Sequence, residues 1–197
     1  TEEQFGWRVS ENCPDAVKII DTEDLHFLRE ARRKAFVEKR TAEKRDLING
    51  VFMREMAAIL RCDLSLIISE FEFGLLVNDF KIDPNLLIYI PFLTDHFEES
   101  KTPFEDRKHF VSIGNFLHEP NWQTVVKLKQ IWKSIKKKLP EAELHIYGAY
   151  AGQKVLELNN EKEGFLVKGR ADSVEELFRR YKVLLAPIPF GAGLKGK

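Results

Sequence analysis

Short apolar runs alternate with helical patterns along almost the whole of this 197-residue chain, and this alternation limits the possible folds more than any other feature. The apolar runs predict strands at 16–20, 64–68, 86–90, 109–113, 143–147, 165–167 and 183–187. Helical spacing or cap signals predict helices at 25–48, 51–60, 69–79, 120–138, 152–158 and 173–180. Strands that alternate with helices pair in parallel through right-handed crossovers, so the pattern predicts an α/β fold with helix-covered parallel sheets.

The apolar runs lapse between residues 94 and 107, where charged and polar residues surround Pro103. Low periodicity together with a proline is typical of a hinge, so we place a linker at 96–107. The alternation restarts beyond it. The sequence therefore predicts two Rossmann-like domains, one at 1–95 and one at 108–197.

The composition excludes several classes of protein. Basic and acidic residues balance at 31 each, which leaves no net field for holding nucleic acid. Cys13 and Cys62 lack metal-ligand spacing, so neither a disulfide framework nor a zinc site is predicted. No apolar run reaches the ~20 residues of a membrane span, and no signal peptide is recognisable. We expect a cytoplasmic protein and leave peripheral membrane contact open.

The glycine- and lysine-rich tail at 190–197 is the turn with the clearest chemical signal. Ligands of open parallel sheets bind beyond the carboxyl ends of the strands, and this tail directly follows a predicted strand. Gly191 and Gly193 allow backbone amides to approach an oxyanion, and Lys195 and Lys197 add charge for a diphosphate. The Walker spacing is missing. The alternative is an ordinary glycine-rich surface turn with solvated lysines.

Two further turns of the second half also follow predicted strands. Gly114, Asn115 and His118 come after the strand at 109–113, and Gly148 comes after the strand at 143–147. A glycine there permits close approach of a ligand. A single histidine is as well explained by a structural role, and Gly148 by an ordinary tight turn.

In the first half, Asp24 and His26 follow the strand at 16–20. Neighbouring acidic residues such as Glu23 are explained as helix caps, whereas a carboxylate beside an imidazole can orient it or tune its pKa. The helix that follows carries a basic cluster that we expect to face solvent, with contact to an anionic acceptor or a lipid head group as the alternative. The cluster consists of Arg29, Arg32 and Arg33.

Several motifs, taken together, resemble one family. FVSIGNFLHEPNW, ELHIYGAY and the stretch from FLVKGR to GAGLKGK resemble the donor domain of group 1, or family 4, retaining glycosyltransferases, over nearly all of 110–197. KIIDTEDLHFLR, RCDLSLIISEFE and LLIYIPF are similar to the later part of that family's acceptor domain, with less specific motifs.

The resemblance implies the GT-B fold, here with two incomplete Rossmann-like domains, and a glycosyltransferase. A nucleotide-diphosphate sugar would pass its sugar to a glycan or lipid-linked acceptor with retention and without a metal ion. Lys195 would be the main charge on the diphosphate, and Asp24 or His26 would face the sugar. Residues expected to line the sugar-nucleotide site are Gly114, Asn115, His118, Gly148, Gly191, Gly193 and Lys197.

The chain also departs from the family pattern. Asn115 and His118 stand where many members carry an arginine and a lysine. The family's glutamate-bearing helix would lie beyond Lys197 and its glycine-rich opening before Thr1, so we expect this chain alone to be inactive. A non-catalytic scaffold of the same shape and a sugar-nucleotide epimerase remain the alternatives.

Overall fold

The computed structural model of the protein describes residues 2–93 and 102–195. Its contacts divide the chain into two compact units. Of the described residues, the first unit comprises 2–93 and 190–195, and the second comprises 102–189. Each unit contains one parallel sheet with helices around it, which confirms the predicted α/β class.

The elements below are those of the described residues. The α-helices are α1 (Glu2–Asn12), α2 (His26–Val37), α3 (Lys44–Leu47), α4 (Gly50–Arg61), α5 (Glu70–Gly74), α6 (Glu119–Lys138), α7 (Gln153–Leu156) and α8 (Val174–Arg180). The strands are β1 (Ile19–Asp21), β2 (Leu64–Ile67), β3 (Leu87–Tyr89), β4 (Lys108–Ile113), β5 (Leu144–Tyr147), β6 (Phe165–Gly169) and β7 (Tyr181–Leu184). A π-helical turn, Leu75–Asp79, continues α5.

The first unit has a three-stranded sheet in the order β1-β2-β3, with both pairs parallel. Its core is aromatic and aliphatic. The Phe27 ring meets Phe52 and Phe80 edge-on, at centroid distances of 5.1 and 5.6 Å. Buried core members from several elements include Leu25, Leu28, Ile59, Ile67, Leu76 and Ala192. Burial of these side chains supplies the main driving force for folding the unit.

The second unit has a four-stranded parallel sheet in the order β6-β5-β4-β7. The chain runs outward from β4 to β6 and then returns to the other side of β4, so the strand order reverses between β4 and β7. In doubly wound sheets the ligand crevice lies at such a reversal. Trp132 on α6 anchors the core, fully buried, and its indole Nε1 donates to the Glu163 carbonyl at 2.7 Å.

Several boundaries differ from those expected. The predicted helix at 25–48 ends at Val37, because Lys39 takes a left-handed conformation (φ 54°) and the Arg40 N–H bonds back to the Ala35 carbonyl. This is the helix-ending geometry usually provided by glycine. The last strand ends at Leu184 rather than at residue 187, and helix α1 was not predicted.

The predicted linker at 96–107 is only partly described. Its residues 96–101 lie outside the described ranges, and 102–107 contain a short 3₁₀ turn, Phe104–Asp106, in the second unit. The tail also differs from the predicted domain range of 108–197, because its residues 190–195 group with the first unit. In the described parts of the chain, no helix combines the length and apolar character needed to cross a bilayer.

Candidate functional site

The tail that follows β7 is fixed to the first unit at consecutive positions. The Phe190 ring packs against Phe36 with centroids 5.2 Å apart, and Ala192 is a buried member of the first unit's core. Between them, the Gly191 carbonyl accepts a hydrogen bond from Arg32 Nη1 at 2.7 Å. These contacts fix the tail as an ordered loop on the first unit. Arg32, expected in solvent, is one of the groups that hold it.

Gly193 occupies a position that requires glycine. Its φ is +63°, and a Cβ there would lie 2.8 Å from the Asp24 Cβ and 3.3 Å from the Glu23 carbonyl oxygen. Its N–H donates to Glu72 Oε1 at 2.5 Å. The amide is therefore already paired, so Gly193 contributes its backbone conformation and its lack of a side chain to the loop.

Lys195 folds back over the same loop, and its Nζ donates to the Ala192 carbonyl. Partial burial lowers the pKa of Lys195, while the carboxylates of Asp24 and Glu72 act in the opposite direction. The ammonium therefore lies near two carboxylates. Gly196 and Lys197 lie outside the described residues.

Asp24 and His26 stand where β1 leads into α2. Asp24 Oδ2 accepts from Arg29 Nη1 at 3.1 Å, and its Oδ1 lies 3.4 Å from His26 Nε2. The other imidazole nitrogen, Nδ1, is 3.0 Å from Glu55 Oε1. Asp24 Oδ1 is buried and has no hydrogen-bond partner among the described residues. The expected carboxylate–imidazole pair is thus close, with a second carboxylate on its far side.

A groove of about 290 Å³ connects Asp24 with the tail. Its charged lining residues are Asp21, Glu23, Asp24, Arg29 and Lys195, and Gly193 also lines it. His26 lines a different cavity, of about 490 Å³, with Glu55. The two residues expected to act at one centre therefore open into different cavities, and Asp24 is the one that shares a groove with Lys195.

The residues expected from the second unit gather at the carboxyl end of its sheet. A Cβ on Gly148 would lie 2.1 Å from the Gly114 carbonyl oxygen, so close packing of two strand ends explains the glycine at 148. The Asn115 side chain accepts from the Leu117 N–H at 3.0 Å, which shapes the turn after β4. His118 is exposed just before α6. This turn lies at the reversal of strand order.

Sequence reasoning missed the role of Glu72. Ser69 caps α5, with its Oγ accepting from the Glu72 N–H at 3.4 Å. The Glu72 side chain does not close the capping box. It accepts instead from Leu25 and Gly193, which are 47 and 121 residues distant along the chain. No local pattern could have indicated partners at that separation.

Two other findings bear on the chemistry. Within residues 2–93 and 102–195, no cluster of three or more His, Cys, Asp or Glu side chains could hold a metal ion. Cys13 and Cys62 are both free thiols, the first exposed and the second buried.

Neither a family model nor a curated protein matches the chain. Several solved structures do match it. The pneumococcal O-GlcNAc transferase GtfA, in complex with UDP and GlcNAc, aligns with 73% of this chain at 19% identity and a TM-score of 0.54. TarM aligns with 69% at 16% identity and a TM-score of 0.53. A mutant of S. aureus TarM with fondaparinux, alpha-GlcNAc-glycerol and UDP aligns with 72% at 13% identity and a TM-score of 0.53.

At these identities the likeness concerns the fold. The chain has the α/β architecture with two parallel sheets that is found in these GT-B glycosyltransferases. It spans 27 to 29% of the length of each of these neighbours.

Proposed function

We propose that this chain is part of a glycosyltransferase that moves a sugar from a nucleotide-diphosphate sugar to a glycan or lipid-linked acceptor with retention of configuration. The fold it shares with GtfA and TarM supports the general class. Because the chain spans little more than a quarter of those proteins, activity belongs to the whole protein.

The observation that carries this proposal is the held tail with Lys195 beside the groove of about 290 Å³. Glycines at two of its positions keep side chains away, and Arg29 and Lys195 give the groove two cationic groups beside the carboxylates of Asp21, Glu23 and Asp24. A diphosphate is the ligand chemistry that such a loop suits, since it is compact, anionic and rich in acceptor oxygens. Lys195 exchanges its bond to the Ala192 carbonyl for one to a phosphate oxygen.

The chemistry follows from where charge develops. As the bond between the sugar and the diphosphate breaks, negative charge grows on the leaving oxygen. A cation fixed near that oxygen stabilises the transition state more than the bound sugar nucleotide. In this proposal Lys195 supplies that cation without a metal ion, and Lys197 adds to it.

The remaining residues have secondary roles. Asp24, which lines the groove, accepts a hydrogen bond from a hydroxyl of the transferred sugar. His26, held between two carboxylates, supports the position of Asp24. Gly114, Asn115 and His118 bind the sugar nucleotide from the second unit, and Gly148 keeps that edge compact. We place the protein in the cytoplasm, with peripheral membrane contact where the acceptor is lipid-linked.

A binding panel tests the class of ligand. The whole protein is titrated calorimetrically with UDP-, GDP- and ADP-sugars, and UDP-GlcNAc comes first because UDP and GlcNAc are bound in the GtfA complex. We expect one nucleotide to bind. Binding of none would contradict the proposal and favour a non-catalytic scaffold.

Product analysis with the bound sugar nucleotide then separates the enzyme classes. A transferase consumes the sugar nucleotide only when an acceptor is present and releases the nucleoside diphosphate. An epimerase changes the sugar nucleotide with no acceptor, and that outcome would replace the proposal. The anomeric configuration of the product, read by proton NMR coupling constants, tests retention.

A further inference from the structure

Glu72 is a buried carboxyl group for which the proposed chemistry has no use. It lies on α5 with 1% of its surface exposed, inside the first unit. Burying an ionisable group is costly unless partners compensate, so its hydrogen bonds need an explanation. Helix capping does not provide one, because the Glu72 side chain accepts from Leu25 and Gly193, which belong to other segments.

The partners of Glu72 belong to the two segments that carry the candidate site. Oε1 accepts from the Gly193 N–H at 2.5 Å and from the Leu25 N–H at 3.5 Å. Leu25 stands between Asp24 and His26, and Gly193 stands two residues before Lys195. One carboxyl oxygen thus joins the loop after β1, residues 22–25, to the tail. We call this loop the Asp24 loop.

We infer that Glu72 is a positioning residue that fixes the tail relative to the Asp24 loop so that Lys195 meets a diphosphate. This inference rests on the proposed function. Gly193 has the left-handed φ that turns the chain towards Lys195, and its amide is held by Glu72. Without that bond the turn loses its fixed direction, and Lys195 must be ordered at the moment of binding, which costs affinity.

The surroundings of Glu72 suit a fixed anchor. Arg32 on α2, Asp24 on the loop and Lys195 on the tail are the charged groups that act on it, and burial raises its pKa. Arg32 also donates to the Gly191 carbonyl. The tail is therefore held from both sides, by an acceptor under Gly193 and by a donor on Gly191.

Two substitutions separate geometry from charge. Glu72→Gln keeps the length of the side chain and an acceptor oxygen but removes the charge. Glu72→Asp keeps the charge but withdraws the oxygen by one methylene. In the whole protein, we expect the affinity for UDP to stay within about threefold in Glu72→Gln and to fall about tenfold in Glu72→Asp, because one hydrogen bond is lost. Glu70→Gln, exposed on the same helix, is the matched control and should leave affinity unchanged.

A second measurement observes the Gly193 amide directly. In NMR spectra of the wild-type protein, the Gly193 amide proton should be shifted downfield and should respond to the titration of a single carboxyl group. That response should vanish in Glu72→Gln. A Gly193 amide that resonates as a solvent-exposed glycine would overturn the inference.

The outcomes also separate the inference from the proposed function. If wild type binds neither UDP nor inorganic pyrophosphate, the proposed function and this inference both fail. If wild type binds UDP and Glu72→Asp binds equally well, the inference alone fails. Weak binding by Glu72→Gln with full binding by Glu72→Asp would show that the charge, rather than the position, matters, and would also overturn it.

Discussion

Gly193 has a backbone conformation that side-chain-bearing residues adopt only under strain. Its φ of +63° alone disfavours alanine, and the nearby Asp24 Cβ, 2.8 Å from where a Cβ would stand, leaves no room for one. Both demands arise where the tail meets the Asp24 loop. A substitution of Gly193 that adds a single methyl group therefore tests whether the tail and the Asp24 loop are in contact.

Replacing Gly193 by alanine should lower the free energy of unfolding of the first unit by about 1–3 kcal/mol and should weaken UDP binding. Thermal and urea unfolding followed by circular dichroism measure the first effect. Gly50→Ala is the control, since a Cβ there meets no atom within 4 Å at the start of α4. That control should be neutral or stabilising by up to about 1 kcal/mol.

Glu72 should also give stability a pH dependence of known sign. Its pKa is raised in the folded protein by burial, so folding takes up a proton at this site. This proton uptake stabilises the folded protein. The stabilisation is fully present below the ordinary glutamate pKa of about 4.5 and is lost as pH rises through the higher pKa of the folded state. Glu72→Gln cannot titrate.

Glu72→Gln should therefore become more stable relative to wild type as pH rises through this window, because only the wild type loses this contribution to its unfolding free energy. Urea denaturation at a series of pH values measures the difference. A difference that shrinks with rising pH would mean that the folded carboxyl group has a lowered pKa.

At the scale of elements, α2 begins without a cap of its own. Leu25 at the N-cap position makes no side-chain cap bond. Glu55, on α4, reaches across and accepts from the backbone N–H groups of His26 and Phe27 at 2.9 and 2.8 Å. A carboxylate at this end also complements the helix dipole. The same side chain contacts the His26 imidazole, so the cap and the candidate site share one residue.

We therefore expect Glu55→Ala to destabilise the first unit by about 0.5–2 kcal/mol, the usual cost of losing a helix N-cap. Arg54→Ala removes the neighbouring, mainly exposed side chain and should change stability by less than about 0.5 kcal/mol. Chemical denaturation of both variants makes the comparison. Equal stability of the two would show that solvent can replace Glu55 at the helix end.

How far the sequence predicts these elements depends on how local their causes are. α4 has nearly the predicted range, and its start has a local cause, because the Asn49 side chain accepts from the N–H groups of Val51 and Phe52. The end of α2 at Val37 could not be predicted, since Lys39 takes a left-handed conformation without being a glycine. Arg40, held by Asp46 at 2.5 and 2.7 Å, stabilises the turn that follows.

At the scale of the molecule, the alternation of strands and helices was sufficient to predict two parallel sheets. Strand order was not predicted, because it depends on pairings between distant residues. The residues of the candidate site likewise include some that local sequence patterns indicate and some that they do not. Gly193 and Lys195 carry local signals, whereas Glu72 and Arg32 contribute through contacts 121 and 159 residues away along the chain.

The central claim is that the tail binds the diphosphate through Lys195, and the affinities of UDP and UMP test it most directly. Calorimetry on the whole protein should show UDP binding about 10- to 100-fold more tightly than UMP, the value of a charge-assisted bond to the second phosphate. Lys195→Ala should remove that difference, and Lys34→Ala, an exposed lysine on α2, should preserve it. An unchanged UDP-to-UMP ratio in Lys195→Ala would contradict the account.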